Sequence, residues 1–215
     1  MMGAAIDQAT QALALGGPVI AILVMASVCV LAVVLYKVWQ FWASGVGRHR
    51  ALRAAAAAFD ADDRAAAANH VIQSKSYLRD VVELGLARAP AERLHAEAEL
   101  RFNTLERGFR FLDTVAQLAP LLGLFGTVLG MIEAFRALQD AGSTVDPSLL
   151  AGGIWVALLT TAAGLVVAMP AALVLSWLEG RVDGDRALAE HLIAQLTAPT
   201  GNSAQTEPSG QATYA

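Results

Sequence analysis

Three threonines, two carboxylates and two prolines in this 215-residue chain could do chemistry in an apolar setting. Thr127, Thr160 and Thr161 each sit in a run without charge. A threonine hydroxyl can hold water or relay a hydrogen bond, yet it also satisfies itself on the carbonyl three or four residues back. Each is therefore open to a purely structural role. Asp113 and Glu133 flank the run that holds Thr127. A carboxylate there is either interfacial or faces a wet pore, where it can bind a proton. Pro120 and Pro170 each remove a backbone donor and bend a helix, either as fixed shape or as a hinge. No catalytic residue, metal or cofactor is expected. His49, His70, His95 and His191 lie outside the apolar runs, so no nucleophile has a paired base there. The pattern His-Glu-x-x-His, which would hold a metal, does not occur. Cys29 cannot form an internal disulfide and is expected to be a small buried hydrophobe.

The elements that would carry these residues follow from where charge is missing. The chain has 15 Lys and Arg, 19 Asp and Glu, and a formal net charge of −4. Charged residues make up 16% of it, against about 25% in an ordinary soluble domain. The deficit is concentrated, because no Asp, Glu, Lys or Arg occurs in 8–36, 114–132 or 147–178. Each window can supply the roughly 20 apolar residues that cross a bilayer as a helix. The fold class expected is an all-α membrane protein with three transmembrane helices. Nucleic-acid binding and a disulfide scaffold are excluded, and the lipid bilayer is an obligatory partner.

Charge flanks set the expected orientation. Lys37, Arg48, Arg50 and Arg53 follow the first span, and Arg181 and Arg186 follow the third. The connector at about 138–148 has Asp140 and Asp146 but no Lys or Arg. By the positive-inside rule the amino terminus is outside and the carboxyl terminus is in the cytoplasm. No basic region precedes the first apolar run, so it reads as a retained span rather than a cleaved signal. Tyr36, Trp39, Phe41, Trp42 and Trp177 stand where interfacial anchors are expected.

The expected organisation is an amphipathic outer segment at 1–17, a first span at 18–42 and a cytoplasmic helical domain at 43–110. A second span at 111–138, an outer loop at 139–148 and a third span at 149–178 follow. A cytoplasmic helix at 179–197 and a disordered tail at 198–215 complete it. Residues 43–113 hold 11 basic and 10 acidic side chains, a mixture typical of solvated helices. Asp60 is expected to cap an alanine-rich helix running to about Ser74, with another helix at 77–88. Pro90 suits the first turn of a helix. From Ala91 to about Leu138 no strong stop appears except Pro120 and the glycines near it, so the second span is expected to continue as a long cytoplasmic extension, as is the third.

Small residues form stripes on the later spans. Ala116, Ala119, Gly123, Thr127, Gly130 and Ala134 share one helix face. Gly153, Ala157, Thr161, Gly164 and Ala168 share another. In lipid such faces allow close helix approach. They can pack the second span on the third within one subunit, make a subunit contact, or line a pore.

The run Ala119-Pro-Leu-Leu-Gly-Leu-Phe-Gly-Thr-Val-Leu-Gly-Met-Ile-Glu-Ala-Phe135 resembles the second-helix signature of the MotA/TolQ/ExbB proton-channel family. The run Gly153-Ile-Trp-Val-Ala-Leu-Leu-Thr-Thr-Ala-Ala-Gly-Leu-Val-Val-Ala-Met-Pro-Ala171 resembles its third-helix signature. Within the family the resemblance is to ExbB, with TolQ close behind. It implies a homopentameric ring in the bacterial inner membrane around an ExbD-like single-span partner. Such a ring uses the proton-motive force to energise TonB and outer-membrane import. TolQ works likewise with TolR and TolA in the Tol-Pal envelope system. The resemblance places pore-facing threonines at Thr127 and Thr161.

One position departs from the pattern. Most ExbB and TolQ proteins carry Gly-Ile-x-Glu-Ala-Leu in the third helix, and this chain has Val156 in place of the glutamate. Valine cannot bind a proton. Either the partner's aspartate carries the proton while Thr127 and Thr161 hold water, or the chain couples differently, or it conducts weakly or serves as a non-conducting scaffold. The first is the reading taken.

Overall fold

The computed structural model describes the backbone of residues 2–140 and 147–198, with side chains from Gly17 onward except those of Pro147 and Leu149. The expected loop at 139–148 and tail at 198–215 fall largely outside the described residues. Among the described residues seven helices follow in order: α1 (Met2–Ala43), α2 (Arg50–Asp60), α3 (Arg64–Gln73), α4 (Arg79–Leu86), α5 (Ala91–Glu106), α6 (Phe109–Asp140) and α7 (Pro147–Thr197). No strand occurs among the described residues. Two compact units divide the chain, Met1–Lys37 with Gly108–Leu178 and Val38–Arg107 with Glu179–Ala215.

The first unit holds the apolar helices. Gly17–Ala43, Phe109–Asp140 and Leu150–Thr197 are each long and apolar enough to cross a membrane. The first is set off by a break in α1 at Gly17, whose φ of 61° is in the left-handed region that favours glycine. Pro18 follows directly, where a proline costs little because a helix restarts there. Val19 and Leu23 of α1 pack with Ala119 of α6 and Ala168 of α7, and Val115, Leu122, Leu129, Ala163 and Val167 surround them.

Large apolar side chains instead face outward, among them Met25, Val28, Leu31, Leu121, Phe125 and Leu173. In water a continuous patch of this kind drives association; lipid solvates it. The same logic corrects the expectation for Cys29, which is exposed. A membrane helix points its apolar residues outward, so a small hydrophobe is not thereby buried. Phe41 departs from the anchor expectation in the other direction and is buried, while Tyr36, Trp39, Trp42 and Trp177 are exposed. Lys37, one of the flanking charges, is 1% exposed. Its ammonium lies 5.6 Å from the centre of the Phe109 ring, a cation–π distance.

The long helix expected from Ala91 to about Leu138 is two helices. α5 ends at Glu106 and α6 begins at Phe109, with Gly108 at φ 92° between them. Only glycine adopts that backbone without strain. By contrast α7 continues unbroken through Pro170 for 51 residues.

The second unit is built from short amphipathic helices and the last turns of α7. α2 buries Leu52, Ala55, Ala56 and Phe59, and α5 buries Leu94, Ala98, Phe102 and Leu105, both at helical spacing. The cap of α3 is Asp63, which accepts from the Ala66 N–H at 2.9 Å. Asp60, expected in that role, is the last residue of α2; the turn at Asp62, φ 59°, separates the two helices. Arg186 of α7 ties α5 in place: it reaches Glu99 and Glu106 and lies 4.9 Å over the Phe102 ring.

Candidate functional site

The expected site residues gather on α6 and α7, whose backbones come close where a glycine of one helix faces backbone or a small residue of the other. A Cβ on Gly123 would lie 2.9 Å from the Thr160 carbonyl oxygen, and one on Gly164 would lie 2.5 Å from that of Ala119. Gly130 packs on Ala157, and Gly153 packs on Ala134. Gly123, Gly130 and Ala134 of one stripe and Gly153, Ala157 and Gly164 of the other therefore pack the second span on the third. That is the outcome expected where lipid offers helices no hydrophobic drive and close approach must replace it.

Two residues shift the expected faces. Gly126 belongs to the contact and was not in the expected stripe: its missing side chain makes room for Thr160, whose Oγ1 would be 2.8 Å from a Cβ there. On α7 the buried threonine is Thr160, at 2% exposure, and Thr161 is half-buried. Adjacent residues lie about 100° apart around a helix, so a stripe drawn through Thr161 misses the centre of the contact by one position.

The threonine hydroxyls all have partners. Thr127 donates to the Leu124 carbonyl at 2.6 Å and Thr160 to that of Ala157 at 2.7 Å. Both are the local back-bond open to any helical threonine. Thr160 and Thr161 also approach the Gly123 carbonyl of α6 at 3.3 and 3.4 Å. Two hydroxyls of α7 thus converge on one backbone oxygen of α6, a polar spot in an otherwise apolar contact.

Above this spot the packing opens. A cavity of about 90 Å³ is lined by Gly17, Pro18 and Val19 of α1, Gly126, Leu129, Gly130 and Glu133 of α6, and Val156 and Thr160 of α7. It brings Glu133, Val156 and Thr160 together. Asp113 is not part of it; that carboxylate is exposed and accepts from the Gln117 side chain at 2.6 Å. Pro120 is half-buried and Pro170 exposed, and both helices continue through them.

A second polar constellation, in the other unit, has no counterpart in the expected site. His49 Nε2 lies 2.8 Å from Asp185 Oδ1, and His49 Nδ1 lies 2.8 Å from Ser76 Oγ. Tyr77 donates to Asp185 Oδ2 at 3.0 Å. The network closes with Nε2–H donating to Asp185 and Ser76 donating to Nδ1, a tautomer assigned from the bonds. The Leu78 N–H donates to Ser76 Oγ at 3.2 Å. Gly47 N–H also points at Nε2, at 3.1 Å, and gives way to the shorter contact with the carboxylate. Burial first, and then the charge of Asp185, push the Tyr77 phenol well above its ordinary range.

Serine, histidine and aspartate in this order are the parts of a hydrolase, but Ser76 and His49 are 5% and 4% exposed. No substrate carbonyl can approach, and the group acts as a buried clamp. Nothing in the spacing of Ser76, His49 and Asp185 signals it, since the partners come from distant parts of the chain.

Known proteins are similar to part of the chain. The model of the MotA/TolQ/ExbB proton channel family matches residues 69–190. Biopolymer transport protein exbB1 of Vibrio cholerae is 40% identical over 97 residues, 45% of this chain and 41% of that protein. The putative biopolymer transport protein ExbB-like 1 of Synechocystis is 46% identical over 83 residues, 38% of this chain and 33% of that one. The Tol-Pal system protein TolQ of Haemophilus influenzae is 44% identical over 80 residues, 37% and 35% of the two chains. The matched part spans less than half the length of each of these relatives.

Proposed function

The chain belongs to the MotA/TolQ/ExbB proton channel family, and from that premise we propose that it is an ExbB-like subunit of an inner-membrane motor driven by the proton-motive force. The observation that carries this reading is the extent of the family match. Residues 69–190 take in all of α6 and α7 as far as Glu190, and with them the Gly123–Thr160–Thr161 contact. The amino terminus faces outward and the carboxyl terminus the cytoplasm, as the Lys and Arg flanks favour. Five copies surround a single-span ExbD-like partner, and the assembly energises TonB. One charge crossing the membrane supplies about 2.3 kcal/mol per 100 mV.

The apolar windows 114–132 and 147–178 hold no ionisable side chain. The titrating group at membrane depth is therefore supplied by the partner's carboxylate. Thr127 and Thr161, both half-buried, present hydroxyls to it. The likeness to TolQ supports a second reading in which the partners are TolR-like and TolA and the work is envelope maintenance.

Deletion of the chain in its own host separates the two. Loss of energy-dependent uptake with an intact envelope supports the ExbB-like reading. A leaking, detergent-sensitive envelope supports the TolQ-like one. A deletion strain normal in both respects would overturn the motor assignment.

A further inference from the structure

The arginines of this chain fall into two groups. Arg79, Arg101 and Arg186 each reach a carboxylate. Arg48, Arg50 and Arg53 are exposed and form no ion pair among the described residues. They follow the first span directly, since α1 ends at Ala43 and α2 begins at Arg50. Arg50 and Arg53 stand three apart on α2, on the side away from its buried Leu52, Ala55, Ala56 and Phe59.

The turn that carries them is held fixed. Gly45, at φ 66°, lies so close to the loop before α4 that a Cβ would stand 2.7 Å from the Lys75 carbonyl oxygen. The Tyr77 N–H donates to the Ser44 carbonyl at 3.1 Å, and the Arg48 N–H donates to that of Gly45 at 3.0 Å. His49, next to Arg48, is bound by Asp185 and Ser76. α7 adds a fourth cation, because Arg181 Nη1 would be 3.7 Å from a Cβ on Gly47. We propose that this turn, with Arg48, Arg50, Arg53 and Arg181, binds the headgroup of an anionic phospholipid in the leaflet that meets the end of α1.

Two observations choose a lipid over a free anion. Trp39 and Trp42, 66% and 81% exposed, share a face of the last turns of α1, and exposed tryptophans belong at headgroup level. The span that ends there, Gly17–Ala43, is long and apolar enough to cross a membrane. A guanidinium gives a phosphate two parallel N–H bonds. The carboxylates on α7 do not cancel the cations: Asp185 is taken by His49 and Tyr77, and Asp183 lies 3.8 Å from Arg186. Glu179 stands two residues before Arg181, and Asp60 is at the other end of α2. Four guanidiniums beside Glu179 leave the turn positive.

The test uses the full chain with Trp155→Phe and Trp177→Phe, which leaves Trp39 and Trp42 as reporters. It is placed in bilayers of phosphatidylcholine and phosphatidylglycerol, with bromine on the acyl chains of one lipid or the other. Bromine quenches a tryptophan it touches, so the quenching ratio measures relative affinity at this face. Phosphatidylglycerol should be preferred by about fivefold or more, the factor that one interfacial arginine supplies. Arg48→Gln, Arg50→Gln and Arg53→Gln together should bring the preference near unity without changing thermal unfolding in detergent. The three corresponding lysine changes should keep most of it. Arg181→Gln should lower it as well, although that residue is distant in sequence.

Equal quenching by the two lipids in the reporter chain would overturn the proposal. So would a preference that inorganic phosphate removes at an ionic strength where chloride does not, since the site would then take a free anion. An Arg181→Gln variant with an undiminished preference would overturn the joint site. Quenching reports lipid binding alone, so failure here leaves the motor reading standing, and failure of the motor reading leaves the lipid site standing.

Discussion

A Cβ placed on Gly164 would stand 2.5 Å from the carbonyl oxygen of Ala119, so α6 and α7 meet there at backbone distance. No flexible side chain can yield, because the obstructing atom is backbone. Gly164→Ala should push the helices apart and cost about 1–3 kcal/mol, the range for overpacking a well-filled contact. Gly180 on the same helix is the control: a Cβ there meets nothing within 4 Å. Gly180→Ala should stabilise by up to about 1 kcal/mol through helix propensity. Thermal unfolding in detergent of the two variants beside wild type checks the opposite signs.

The His49–Asp185 pair is 4% and 8% exposed, so removing one partner strands the other in a poorly solvated place. His49→Ala should cost about 3–5 kcal/mol. Replacing both together, as His49→Phe with Asp185→Leu, should cost much less than the two single changes added. A double-mutant cycle by chemical denaturation measures that difference. Strict additivity would show that the pair is not the clamp.

Tyr77 makes the same cluster sensitive to alkali. In the unfolded chain its phenol ionises near 10.0, and in the fold burial, followed by Asp185, raises that value. A raised value favours the neutral phenol in the folded state. Its contribution is therefore whole below about pH 10 and is lost as pH climbs toward the folded value. Wild type should lose stability above pH 10 more steeply than Tyr77→Phe. Parallel slopes would contradict the assignment.

Thr160 separates shape from chemistry. Valine fills the same space against Gly126 but has no hydroxyl, and serine keeps the hydroxyl with less bulk. Thr160→Val should cost about 1 kcal/mol through the lost bonds to the Ala157 and Gly123 carbonyls, whereas Thr160→Ser should keep those bonds and lose only packing against Gly126. Thermal unfolding in detergent of the two variants beside wild type reads the two contributions separately.

The spans were legible because lipid imposes a long-range rule: charge vanishes for about 20 residues and the helix is located. The glycine and threonine content of α6 and α7 was legible for a related reason, since small residues mark close approach. Phase was not. Thr160 and Thr161 are neighbours in sequence, and only the position of Gly126 opposite decides which is buried.

The break at Gly108 was missed because one glycine among good helix formers is a weak signal, and its positive φ is set by how α5 and α6 leave it. Asp60 and Asp63 both suit a cap, and the turn at Asp62 decides between them. The His49 clamp lay beyond any local pattern, because its partners meet only after α7 has folded back on the short helices of its unit.

With its single-span partner this chain should let protons cross under a membrane potential. The most direct measurement is proton uptake by liposomes holding the purified complex, with a potassium gradient setting the potential. Uptake should rise with the applied potential and disappear when the partner is left out. Uptake no greater than in empty liposomes, from a complex shown to be assembled, would contradict it.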